Sequence, residues 1–186
     1  MNKKVDIFLS SNSDEHQTPQ WLFDYFDKIF NFDLDVCASK ENTKCERFFD
    51  RENSALNNDF EPSTFFWMNP PYSAPEQKCN PVCVKKTCEK RGHHLDSYKP
   101  GCIDFVKHAY EQHIPGVMLL KNDPTTNLFG SYVWRAEHVI FLRKRVKYEL
   151  PGKKQTSAPH SSVVAIFRRS LTVTEKKYIS KIGEIR

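Results

Sequence analysis

The hydrophobic positions of this chain change period along its length, and those changes mark out its elements. Trp21, Leu22, Phe23, Tyr25, Phe26, Ile29 and Phe30 recur at helical spacing. Thr18 is a good N-cap residue and Pro19 suits a first helical position, so the pattern predicts a helix starting there. Residues 32–38 alternate as a strand does and end in the small side chains Cys37 and Ala38. Residues 40–58 are polar and irregular, with Phe48 and Phe49 as the expected anchors. Residues 65–68 form an apolar run with strand character. The spacing then predicts a helix over about 103–113 and strands at 116–120, 139–142, 146–150 and 163–167. A polar loop at 151–162 would join the last two strands into an antiparallel hairpin. A short helix over about 174–182, capped by Thr172 or Thr174, closes the pattern. Strands alternating with helices, followed by a hairpin, predict an α/β domain of three layers.

Composition narrows the class. A length of 186 residues is expected to give one domain with a real core. No apolar stretch reaches the length of a membrane span, and Met1-Asn2-Lys3-Lys4 leads into no signal-peptide core. An intracellular location is therefore expected, where six cysteines are thiols or metal ligands rather than disulfides. The net charge of +5 is unevenly spread: residues 143–186 carry 12 Lys/Arg against three acids, residues 1–142 carry 16 against 20. A basic C-terminal third predicts a surface facing a polyanion, through Arg143, Lys144, Arg145, Lys153 and Lys154 around the 151–162 loop.

The strongest chemical signal is Asn69-Pro70-Pro71-Tyr72, directly after the 65–68 run. Proline fixes φ and lacks an N–H, so the carbonyls of Asn69 and Pro70 are not drawn into a continuing ladder. The result is a rigid group of acceptors beside an aromatic face, suited to the planar amino group of a nucleobase taken out of its duplex. Asn69 and Pro70 would accept its two N–H bonds, Pro71 would hold the turn, and Tyr72 would stack on the base. No strong base and no covalent nucleophile is required, so Cys37 is read as a small buried thiol. His16, His108, His113, His138 and His160 are expected to be structural or exposed.

In order, the chain carries Thr18-Pro19-x-x-Leu22-Phe23, residues 32–38, Ala55-Leu56-Asn57-Asn58-Asp59-Phe60, Trp67 to Ser73, the 117–120 strand and the Arg143/Arg145 strand. This combination resembles the phage-type, Dam-like DNA adenine-N6 methyltransferases. The resemblance covers most of the chain. It implies a Rossmann-like fold dependent on S-adenosylmethionine, with the mixed sheet and terminal hairpin above. It also implies adenine in double-stranded DNA as substrate, and the cytoplasm of a bacterial host as location. Thr18, Pro19, Asp35, Cys37, Ala38 and Asn69 would line the cofactor pocket, with Asp59 close to the cofactor's adenine. Most methyltransferases carry a glycine-rich loop after the first strand, whereas no glycine precedes Gly92 here. The phage-type group shares that departure. Amino methylation of RNA adenine or of cytosine N4 would use the same acceptors, and a non-catalytic zinc-containing nucleic-acid-binding module is the rival from another class.

Between Tyr72 and the next helix lies Cys79-x3-Cys83-x4-Cys88-x4-His93-His94, with Cys102 beyond. Residues 76–102 are poor in large apolar side chains and need a staple, and Cys and His in so short a window match structural zinc. Cys79, Cys83 and Cys88 are the expected ligands. The fourth is His94, His93 or Cys102, in that order. With Lys85 and Lys86 among six cations against three acids over 76–101, this insertion is a second expected DNA-facing element.

Overall fold

A computed structural model describes residues 16–149, 156–158 and 160–186. The chain begins with helix α1 (Gln20–Phe30), then strands β1 (Leu34–Asp35), β2 (Arg47–Phe48) and β3 (Phe66–Met68). Two helices follow, α2 (Lys86–Arg91) and α3 (Cys102–Glu111), then β4 (Gly116–Lys121), α4 (Asn127–Ser131) and β5 (His138–Leu142). The remainder is β6 (Lys147–Tyr148), β7 (Thr156–Ser157), β8 (Ser162–Phe167), α5 (Val173–Ile179) and β9 (Gly183–Ile185). Among the described residues, seven strands form one sheet in the order β2-β1-β3-β4-β8-β5-β9. β1 to β5 run parallel to one another, while β8 and β9 are antiparallel to their neighbours.

Alternation within the strands sends side chains to two separate cores. Phe66, Met68, Met118, Leu120, Val139 and Val163 face α3 (Val106, Ala109) and the α4 region (Phe129, Val133). Trp67, Val117, Leu119, Ile140 and Val164 face α1 (Leu22, Phe23, Phe26, Phe30) and Ile179 of α5. The layers are thus helix, sheet, helix, and the α/β expectation stands. Among the described residues no helix is long and apolar enough to cross a membrane.

Four local expectations are corrected. The helix begins at Gln20 with Pro19 as its N-cap, and Thr18 makes no cap bond. Its buried hydroxyl instead accepts from Trp67 Nε1 at 3.4 Å. The ladder of the first strand is confined to Leu34–Asp35, although Asp33 N and Val36 N donate to Phe65 O and Trp67 O and prolong its course. The expected 146–150/163–167 hairpin does not form. β8 is buried at all six positions and lies between β4 and β5, whereas β6 pairs with β7 in a separate two-stranded ladder. A run buried on both faces belongs inside a sheet, and an alternating exposed–buried pair suits a peripheral ribbon. Finally, β2, α2, α4, β7 and β9 arise where no element was expected, β7 inside the expected 151–162 loop. The centre of the expected 151–162 loop, with Lys153 and Lys154, lies outside the described residues.

Residues 73–101 leave and rejoin the body at one place. Cys102 N donates to Ser73 O at 2.9 Å, and Glu76 and Lys99 exchange two backbone hydrogen bonds of 2.9 Å. The strands of this neck are in backbone contact at Gly101, where a Cβ would stand 2.3 Å from Pro75 N and 2.6 Å from Ser73 O. Only glycine permits that approach.

Candidate active site

Parallel strands open their functional crevice at their carboxyl ends, where the chain departs to opposite sides. Here β1 lies between β2 and β3, so the chain leaves β1 towards one side and returns to the other. Asp35 ends β1 and Asn69 follows β3, which puts both at that point.

The Asn69 amide is oriented from both sides. Its Nδ2 donates to the carbonyl of His16 at 2.7 Å, and its Oδ1 accepts from Tyr72 Oη at 3.0 Å. Tyr72 Oη also lies 3.4 Å from Leu119 O and 2.7 Å from Tyr148 Oη, and Tyr148 Oη lies 3.2 Å from Ser162 Oγ. The hydroxyls of Ser162, Tyr148 and Tyr72 therefore form a chain ending on the asparagine oxygen. Burial pushes the Tyr72 phenol well above its ordinary value, so it stays protonated and available to donate. Rings of His16 and Tyr148 meet edge to face at 5.1 Å, and His160 stands edge-on to Tyr72 at 5.3 Å. Pro70 is buried and Pro71 is half-buried.

Asp35 is buried, and desolvation raises its carboxyl to about 6. Lys44 N donates to its Oδ2 at 3.1 Å, and Lys44 Nζ approaches Glu149 Oε2 at 4.0 Å. Glu149 in turn pairs through its backbone with Gln17, so the segment before α1 is tied over this end of the sheet. Thr18 and Pro19 are buried there. Ala38 N donates to Phe49 O, and burial drives the Cys37 thiol far up, consistent with an inert side chain. Asp59 is exposed, just beyond a 3-10 turn at Ala55–Asn57.

The Cys/His segment brings four of its expected ligands together. Ligand atoms of Cys79, Cys83, Cys88 and His94 lie within 4.8 Å of one another. Cys102 and His93 fall outside this group: Cys102 begins α3 and packs on the core, and His93 contributes its carbonyl to Arg91 Nε. Leu95 N donates to Cys79 Sγ at 3.3 Å and lowers that thiol to about 6. Arg91 donates to Cys88 Sγ at 3.4 Å and to both oxygens of Glu76 at 3.1 and 3.2 Å, linking the cluster to the neck. No disulfide joins the six cysteines. N–H donors aimed at closely grouped sulfurs stabilise thiolates, the form that binds zinc.

The basic residues divide. Lys85 and Lys86 are exposed at the start of α2. Arg143 is engaged by Glu184 and by Ser180 O, and Arg145 Nη1 lies 3.4 Å from Ala158 O. Sequence reasoning missed His16, Lys44, Tyr148, Glu149 and Ser162. Their roles depend on pairings between separate elements, as between Gln17 and Glu149 or between Tyr72 and Tyr148, which no local pattern announces. The other histidines also have partners: His108 with Asn58 O, His113 with Arg168, and His138 with Leu171 N.

Residues 7–184 match the family model described as DNA N-6-adenine-methyltransferase (Dam). A DNA N-6-adenine-methyltransferase of Haemophilus phage HP1 is 31% identical over 138 residues, covering 71% of this chain and 64% of the relative. One from Escherichia phage T1 is 34% identical over 145 residues, covering 75% of this chain and 58% of the relative. The chain thus spans less than two thirds of the length of either curated relative. The match extends from before the first described residue to the last strand, through both Asp35 and the Asn69–Tyr72 turn, and this chain belongs to the Dam family.

Proposed function

We propose that this protein, as a single methyltransferase domain, methylates the N6 amino group of adenine in double-stranded DNA, with S-adenosylmethionine as donor. The observation that carries the reading is the Asn69 amide, fixed by His16 O on one side and Tyr72 Oη on the other, at the strand end beside Asp35. The relatives named above are DNA N-6-adenine-methyltransferases, which supports the same substrate.

The residues fit the cofactor: a buried carboxylate at the end of β1 suits hydroxyl donors such as those of a ribose, and Thr18, Pro19, Cys37 and Ala38 would line the same crevice. Asp59, being exposed, would meet the adenine end at its rim. S-adenosylmethionine supplies the electrophilic methyl group. The chain's own part is to make a poor nucleophile competent. Adenine N6 has its lone pair delocalised into the ring. Asn69 Oδ1 has a second lone pair beyond the one that Tyr72 engages, and with Pro70 O it would accept the two N6 hydrogens of a flipped base. That arrangement favours the pyramidal amine and stabilises the positive charge developing on nitrogen. The proton leaves after transfer. Tyr72, held through its hydroxyl, offers its ring for stacking, with Pro71 keeping the turn rigid. Base–aromatic stacking is worth about 1–3 kcal/mol.

Cys79, Cys83, Cys88 and His94 fit a tetrahedral structural zinc ion, which would supply the staple that residues 76–102 otherwise lack. Lys85 and Lys86 on this segment, with Arg145, Lys153, Lys154 and, on release from Glu184, Arg143, are assigned to DNA phosphates.

The test is methyl transfer from labelled cofactor to DNA lacking N6-methyladenine, with nucleoside mass spectrometry. Wild type should yield N6-methyladenine, and Asn69→Ala should yield none. N4-methylcytosine, or product on RNA alone, would overturn the substrate assignment.

A further inference from the structure

The Cys/His segment exposes apolar side chains at its tip. Val82 is 79% exposed and Val84 95%, while Cys83 between them joins the other thiols. A turn at Asn80 holds them, with Cys83 N donating to Asn80 O at 3.2 Å. Val173 is comparably exposed but stands alone at the start of α5. Around the valines, Lys78, Lys85, Lys86 and Lys90 are exposed, together with the acids Glu89 and Asp96. Glu76 is neutralised by Arg91.

Two β-branched side chains held out in water, on a turn whose Cys83 is gathered among the other thiols, lose contact energy that a partner would restore. The surrounding lysines require that partner to be anionic at its margins and apolar or aromatic at its centre. A nucleic-acid groove has that layout, with phosphates flanking sugars and base edges, and apolar side chains act as wedges there. The chain passes from Tyr72 into the neck within a few residues, so the tip belongs to the same end of the sheet as the Asn69 turn. We infer that Val82 and Val84 form an apolar wedge that enters a groove of the substrate duplex, with Lys78, Lys85 and Lys86 on the bordering phosphates. This rests on the substrate reading above.

Apolar and ionic contacts differ in their response to salt, and that difference makes the test. The 186-residue protein, prepared with zinc, is titrated with a mixed-sequence DNA duplex lacking N6-methyladenine, at several salt concentrations. Val82→Ser/Val84→Ser should weaken binding about tenfold at every salt concentration, leaving the slope of log K against log salt unchanged. Lys85→Gln/Lys86→Gln should make that slope shallower by up to about 1.8, because each lost phosphate contact contributes about 0.9. Zinc content, thermal stability and S-adenosylmethionine binding should match wild type in both variants, since all four side chains are exposed. If wild type binds and methylates the duplex and the valine variant does both equally well, the wedge is wrong and the substrate reading stands. If wild type binds no duplex, both fall. Tight valine-dependent binding to phosphatidylserine vesicles, with duplex binding unaffected, would also overturn the wedge in favour of a lipid surface.

Discussion

Replacing Tyr148 by Phe deletes one oxygen from a fully buried side chain and leaves its packing intact. That oxygen lies 2.7 Å from Tyr72 Oη and 3.2 Å from Ser162 Oγ. The two partners suffer differently. Tyr72 Oη keeps Asn69 Oδ1 and Leu119 O as acceptors, so its own desolvation remains compensated. Ser162 is 1% exposed and is left with a buried hydroxyl short of this partner. One net hydrogen bond is worth about 1 kcal/mol, and a stranded buried hydroxyl costs about 1–3 kcal/mol, so a loss of about 2 kcal/mol is expected. For a chain of this size that lowers Tm by about 4–8 °C. The phenol of Tyr72, no longer held from behind, should orient Asn69 less well, lowering kcat about tenfold while S-adenosylmethionine affinity stays within about twofold. The decisive comparison adds Ser162→Ala. Removing both hydroxyls leaves nothing stranded, so the double variant should be no less stable than Tyr148→Phe alone in urea unfolding. Additive losses of stability, together with an unchanged kcat, would show that the three hydroxyls do not act as one chain.

Two further perturbations address the charges and the metal. Asp35 has its folded value raised to about 6 from 3.8, so the folded state holds the proton more tightly; stability falls as pH rises between those values, and the penalty is complete above about 6. Asp35→Asn should therefore stabilise the fold at pH 7 by up to about 3 kcal/mol, a gain that vanishes towards pH 4, while weakening cofactor binding at least tenfold. Urea unfolding at several pH values checks the first part, and a destabilised variant at pH 7 would contradict the buried-charge argument. Zinc analysis should find one ion per chain, reduced by Cys88→Ser. Chelation should expose residues 77–98 to limited proteolysis while the sheet keeps its circular dichroism. Full protection after chelation would remove the case for a metal staple.

The elements legible in the sequence were those with a long period and an uninterrupted face. Trp21 to Phe30 and Ile103 to Glu111 announce helices because each has to bury one side. The Asn69 turn was legible because two prolines can end a strand in few ways. The placement of β8 was not. Its apolar run has no alternation, and nothing local distinguishes a hairpin arm from a strand slotted between β4 and β5. Thr18 misled for a related reason: as a cap residue it suits the helix, but burial against Trp67 gives its hydroxyl a different donor. The three thiols were legible from spacing, which left the fourth member open among His94, His93 and Cys102. The support of Asn69 was not legible, because His16 lies 53 residues before Asn69 and Tyr148 lies 76 residues after Tyr72.

The backbone contact at Gly101 has a consequence for how this chain can vary. Because the stems at residues 73–76 and 99–102 already touch, everything between them is a closed side loop whose length the sheet does not sense. The entropy of closing such a loop grows only slowly with its size. Residues 77–98 can therefore be shortened to a tight turn, or exchanged for another module, at little expense to the body. The loop from β1 to β2 has no such freedom, since Asp35 and Ala38 are bonded within it to Lys44 and Phe49. The fold separates a fixed sheet end from a replaceable side loop, and the joint between them is a single glycine.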